Sequence, residues 1–162
     1  MLRIFLIAAS IFHTADQAEA RPKNVAKAGV WHIYCDSSKS ECTAIQHIMY
    51  HGRNIANIIG IPVNNSKVAA GLVLQLPATT DLNNGVVVTL DGRFSRKYAY
   101  QFCAPQYCQV NVGLTKEMLN AEFGKVEYYF AASPAVKRSF TFSLYGFSTA
   151  IEEVRKRGYP SD

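Results

Sequence analysis

Four cysteines in two close pairs constrain this chain more than any other feature of it. Cys35 precedes Cys42, and Cys103 precedes Cys108, each across a short loop between apparent strands. Asp36-Ser37-Ser38-Lys39-Ser40-Glu41 separates the first pair and Ala104-Pro105-Gln106-Tyr107 the second. Four cysteines allow three connectivities. Local pairing is expected, because each loop is polar or turn-prone and its two flanks read as neighbouring strands. Loops this short restrict the unfolded chain only modestly, by about 2 kcal/mol per bridge in the chain-entropy description. Neither spacing is Cys-x-x-Cys, which argues against a thioredoxin-like redox pair. Oxidising conditions also compete with thiolate ligation of zinc, so no metal is expected here.

Disulfides imply export, and the N-terminus agrees. Arg3 supplies a minimal positive region, Ile4 to Phe12 a short apolar run, and Ala18-Glu19-Ala20 a small-x-small cleavage pattern. That layout is a secretory signal peptide over residues 1–20, cut after Ala20. Nine apolar residues are too few for the about 20 needed to cross a bilayer. No later segment is long and apolar enough, so no transmembrane span is expected. Residues 21–28 read as a flexible entry and residues 29–158 as the folded domain.

The 162 residues are 49% hydrophobic and 18% charged, which supports one domain with a core and excludes intrinsic disorder. The length leaves no room for a separate cofactor domain. Short alternating runs predict strands at Gly29–Cys35, Cys42–Tyr50, Asn54–Ile61, Gly71–Leu76, Val86–Leu90, Tyr98–Cys103, Cys108–Val112, Lys125–Ala131 and Arg138–Leu144. Asp91-Gly92 is a strong hairpin signal. Thr115 to Asn120 predicts a short helix with Thr115 as N-cap and Gly124 as its stop, and Ser148 to Arg157 a second. Strands at this spacing with one or two short helices indicate an all-β, Ig-like antiparallel sandwich. Trp31 alternates with Ile33 and Cys35, which places the single tryptophan in the core.

Catalytic chemistry finds little to work with. His47 and His51 have the spacing of two ligands on one helix face, but the segment reads as a strand and lacks the His-Glu-x-x-His arrangement. There is no Gly-x-Ser-x-Gly, no Ser-x-x-Lys with its partner motifs, and no phosphate-cradling glycine loop. Ser37 and Ser38 suit a turn. Glu152-Glu153 is expected near the start of the last helix, where negative charge is favourable. No catalytic residue and no cofactor is assigned, and a non-enzymatic protein is expected, with a hydrolase of unrecognised site as the lesser alternative.

Charge is the remaining lead. The chain carries +5 overall, and loss of Arg3, Asp16 and Glu19 with the leader leaves 16 basic against 10 acidic residues, or +6. A basic exported domain is drawn to anionic lipid headgroups, lipopolysaccharide or acidic glycans. Candidate contacts are Arg93, Arg96 and Lys97 after the Asp91-Gly92 turn, with Lys137 and Arg138 as a further cluster. Arg155-Lys156-Arg157 is explained more simply by the helix C-terminus. The alternative is a solvated basic surface that only keeps the protein soluble. Nucleic acid is not expected as a partner, because the basic residues are scattered and no zinc-finger or helix-turn-helix pattern occurs.

A set of short motifs in a fixed order adds a family resemblance. Trp31-x-x-x-Cys35 is followed by Cys42, then by Asn83-Asn84-Gly85-Val86-Val87-Val88 leading to Asp91-Gly92. Phe102-Cys103, Tyr107-Cys108-Gln109-Val110 and Met118-Leu119 come next, and Ser143-Leu144-Tyr145-Gly146-Phe147-Ser148-x-Ala150 closes the set. In this order the chain resembles the invasion-associated locus B family of alphaproteobacterial exported proteins. The resemblance implies an Ig-like β-sandwich exported to the periplasm or outer surface. In the best-known members it also implies a link to host-cell, particularly erythrocyte, invasion. A host-cell surface or envelope component is then the expected partner; the alternative is a periplasmic structural or stress-related factor without host contact. The family has no agreed catalytic residues to carry over. This chain departs from the usual Leu-x-Pro-x-Gly-Val stretch, having Leu74-Gln75-Leu76-Pro77-Ala78-Thr79-Thr80-Asp81-Leu82 instead.

Overall fold

Alternation of buried and less buried side chains along the central strands builds two antiparallel sheets in the computed structural model, which describes residues 22–36, 41–63 and 65–158. The leader read over residues 1–20, its cleavage residue Ala20, and Ser37 and Ser38 lie outside the described residues. The first sheet has seven strands in the order β1-β2-β3-β4-β5-β9-β8. These are β1 (Lys23–Ala28), β2 (Trp31–Asp36), β3 (Glu41–Tyr50), β4 (Arg53–Pro62), β5 (Ala70–Pro77), β8 (Phe102–Cys103) and β9 (Tyr107–Leu114). The second has four, β11-β10-β6-β7, comprising β6 (Val86–Leu90), β7 (Phe94–Tyr98), β10 (Phe123–Phe130) and β11 (Ser133–Ser143). The sandwich expected from the sequence is present.

Four strands cannot cover seven. The remainder of the large sheet is covered by α1 (Phe147–Arg157), which packs on β1 to β4. Phe147, Ala150, Ile151 and Val154 are its buried residues, spaced as one helical stripe. They meet a part of the sheet furnished with small residues, Ala44, Ala56 and Gly60, and the Phe147 and Ile151 side chains lie directly over Gly60. Trp31 is fully buried, as expected, with its ring centroid 4.8 Å from that of Phe147. The helix sits where the sheet is thin.

Both cysteine pairs are disulfides, Cys35–Cys42 and Cys103–Cys108, and each joins direct cross-strand neighbours. The Asp91-Gly92 hairpin is also as read: φ is positive at both residues, and the Arg93 N–H donates to the Leu90 carbonyl at 2.9 Å.

Four expectations are corrected. Residues 23–28, read as a flexible entry, form β1, paired with β2 through a turn at Gly29 and Val30. The expected strand Tyr98–Cys103 does not exist as a unit: β7 ends at Tyr98 in one sheet, the chain crosses over, and β8 begins at Phe102 in the other. The helix at Thr115–Asn120 is a single 3₁₀ turn, Met118–Asn120, and Gly124 does not stop it but lies inside β10. There the Phe142 ring occupies the space that a Cβ on Gly124 would need, so the glycine admits an aromatic to the core. Finally, α1 begins at Phe147 and no acid lies in its first turn; Glu153 instead pairs with Lys156 and Arg157.

Gly146 shows why the closing motif of the chain contains a glycine. It has φ +82°, and a Cβ there would strike the backbone of Ala28 at the end of β1. The start of α1 and the first hairpin therefore touch backbone to backbone.

Candidate functional site

Of the cations after the Asp91-Gly92 turn, Arg93 ends the turn, and Arg96 and Lys97 occupy β7, an edge strand of the small sheet. Val86, Val88 and Leu90 of β6 are buried, so their cross-strand partners Tyr98, Arg96 and Phe94 share the inward face. Ser95 and Lys97 point outward, and the Ser95 hydroxyl lies 2.8 Å from that of Thr89. Arg96 thus stands between two aromatic residues on the face that looks into the sandwich. Its guanidinium carbon is 5.7 Å from the Tyr98 ring centroid, and that of Arg93 is 5.9 Å from Phe94, both within cation–π range.

Behind these arginines the two sheets do not close. A cleft of ≈310 Å³ opens there, lined by Val88, Leu90, Phe94, Ser95 and Tyr98 of the small sheet, Val112 of the large one, and Met118 of the 3₁₀ turn. Burial raises the Tyr98 phenol above its usual pKa, and the Arg96 charge opposes that rise. Arg93 approaches Asp91 at 3.8 Å. The Asp91 carboxylate is otherwise committed: it accepts from the backbone N–H of Glu122 and Phe123 at 3.1 Å, which fixes the start of β10 to the turn. Among the described residues, neither Arg96 nor Lys97 has an ion-pair partner.

Lys137 and Arg138 lie on β11, the opposite edge of the same sheet, with β10 and β6 between them and β7. Lys137 pairs with Glu127 at 3.2 Å, and Lys125 reaches the same oxygen at 3.0 Å. Those two hydrogen bonds hold the Glu127 carboxyl below the ordinary carboxylate range. Arg138 is opposite Tyr128 and stacks over Phe130 at 5.5 Å. The five candidate residues therefore do not form one patch. Arg93 and Arg96 share the cleft mouth, Lys97 faces outward beside them, and the other two are a sheet-width away.

The remaining candidates have local partners. His47 Nδ1 lies 2.8 Å from Asn57 Oδ1 on the outer face of the large sheet, and His51 occupies the β3–β4 turn with φ +47°. Among the described residues no group of three or more His, Cys, Asp or Glu could hold a metal ion. Arg155 donates to the Val63 and Ala69 carbonyls, tying α1 to the β4–β5 connection. No helix among the described residues is long and apolar enough to cross a membrane.

Sequence reasoning missed the cleft because it placed the strand after Tyr98 rather than before it. The signal was there: Phe94, Arg96 and Tyr98 alternate, which puts the arginine in phase with two aromatics.

The family model for invasion associated locus B (IalB) protein matches residues 31–155. The crystal structure of invasion associated protein B from Bartonella henselae superposes with a TM-score of 0.66 at 19% identity, covering 81% of this chain and 95% of that one. No curated protein sequence matches significantly.

Proposed function

We propose that this chain, which belongs to the invasion associated locus B family, is an exported binding protein without catalytic turnover. In this reading it attaches to an anionic component of a host-cell or envelope surface through its β7 edge. One observation carries the reading: Arg96 and Lys97 lie on an exposed edge strand with no carboxylate partner among the described residues, beside Arg93 in the adjoining turn. Two disulfides support export, as does the leader expected from the sequence of residues 1–20, and a charge of +6 without those residues supports attraction to acidic glycans or lipid headgroups.

Retention on heparin and on vesicles containing anionic phospholipid tests this directly. Binding is expected at low salt and should weaken steeply as the Debye length falls from about 10 Å at 0.1 M to about 3 Å at 1 M. Arg93→Ser, Arg96→Ser and Lys97→Ser together should elute early, whereas Lys137→Ser with Arg138→Ser should change elution less. Absence of retention at low salt, or a triple variant that elutes with wild type, overturns the reading.

A further inference from the structure

The β7 edge carries more than charge, because an apolar cleft lies behind it. We propose that this cleft binds one molecule of a single-chain anionic lipid, its carboxylate or phosphate on Arg96 and Arg93 and its acyl chain between the sheets. The inference rests on the β7 edge being an anion-binding surface, and it names what that surface selects.

Three observations carry it. The cleft measures ≈310 Å³, at the lower end of the about 300–1,000 Å³ typical of small-molecule sites. Val88, Leu90, Phe94, Val112 and Met118 make most of its lining, with Tyr98 and the Ser95 residue as uncharged polar members. Its mouth holds two guanidinium groups, and Arg96 is exposed while Phe94 and Tyr98 on the same face are half-buried. An arginine in this position lays its alkyl stem along the apolar wall and keeps its head in water. Apolar walls under a cationic rim complement an anionic amphiphile and fit an uncharged or cationic one worse.

An inward-pointing charge on an edge strand also guards against sheet-to-sheet aggregation. That role explains Arg96 but not the open volume behind it. Arg138, on the other edge, makes a similar aromatic contact, with Phe130, but does not line this cleft.

Sodium dodecanoate below its micellar concentration is the probe, titrated calorimetrically into the full chain, with dodecanol as the uncharged control. Saturable one-to-one binding is expected, weakened about tenfold by Arg96→Ser, the loss of one charge-assisted contact. Met118→Trp, which fills the cleft from the 3₁₀ turn, should abolish dodecanoate binding while leaving heparin retention unchanged. A photoactivatable dodecanoate on the wild-type protein should label the peptides carrying Phe94 and Met118, and this readout stands even if Met118→Trp fails to fold. Absence of saturable binding, labelling elsewhere, or equal affinity for dodecanol overturns the inference. If dodecanoate fails while heparin retention depends on Arg93, Arg96 and Lys97, the surface reading stands and only the cleft proposal falls. If dodecanoate binds and heparin does not retain the protein, the cleft proposal stands and the surface reading falls.

Discussion

Gln46 and Ser143 are 97 positions apart, yet they close a reciprocal pair of hydrogen bonds that ties one sheet to the other. The Gln46 side chain accepts from the Ser143 N–H at 3.0 Å and donates to the Ser143 carbonyl at 3.3 Å. Gln46 is only 7% exposed, one of two buried polar residues among those described. A buried amide that meets both its donor and acceptor needs on one backbone acts as a strand neighbour. It also positions the segment leading into α1. Gln46→Ala should therefore cost about 1–3 kcal/mol, because it leaves two backbone groups without partners. A melting temperature lowered by several degrees is expected; an unchanged melt would mean that water replaces the amide without loss.

Trp31 joins the first hairpin to the helix through Phe147, with ring centroids 4.8 Å apart. Trp31→Ala should cost about 3–5 kcal/mol. The loss should be accompanied by faster amide exchange along α1, since the ring supports the helix's first turn. Retention of the wild-type melting temperature would show that the helix docks independently.

Most of the sandwich is legible in the sequence because a half-buried strand leaves a period-two record. Val86-Val87-Val88-Thr89-Leu90 and Val126 to Phe130 read correctly for that reason. The local disulfides were legible because a cross-strand pair beside a tight turn needs little intervening chain. The β7 edge was harder: Arg96 breaks the apolar pattern of an inward face, and its strand of five residues is bounded by no proline. β1 was hidden because an edge strand with Lys23, Asn24 and Lys27 has the composition of a solvated linker. The Gln46–Ser143 pair had no sequence signal at all, since nothing local marks a glutamine whose partner lies on another sheet.

Reduction should show the bridges to be local staples. Non-reducing peptide mapping is expected to recover Cys35 with Cys42 and Cys103 with Cys108. Replacing either pair by serine should cost about 2 kcal/mol on loop-entropy grounds. A cross-link between an early and a late cysteine is incompatible with the observed register.

Glu127 offers a titration with a definite sign. Its carboxyl pKa is lowered in the folded protein by hydrogen bonds from Lys125 and Lys137. Its stabilising contribution is therefore present above the unfolded-state pKa and is lost as pH falls through the folded value. NMR titration should place the Glu127 midpoint below that of a free glutamate, and Lys137→Ala should move it partway back. A midpoint indifferent to Lys137 would remove that lysine from the pair.

Asp91→Asn should separate the structural role of the Asp91-Gly92 turn from its electrostatic one. Asparagine tolerates the positive φ that Asp91 adopts, and its carbonyl oxygen still accepts from the Glu122 or Phe123 N–H. The hairpin should therefore persist with a modest loss of stability, from exchanging charge-assisted hydrogen bonds for neutral ones. The same change removes the acid 3.8 Å from Arg93 and raises the local charge at the mouth of the β7 cleft. Heparin should then release the variant at higher salt than wild type, the opposite direction from Arg93→Ser. Earlier or identical elution with an intact fold would mean that Arg93 faces no bound anion, and the contact would rest on Arg96 and Lys97.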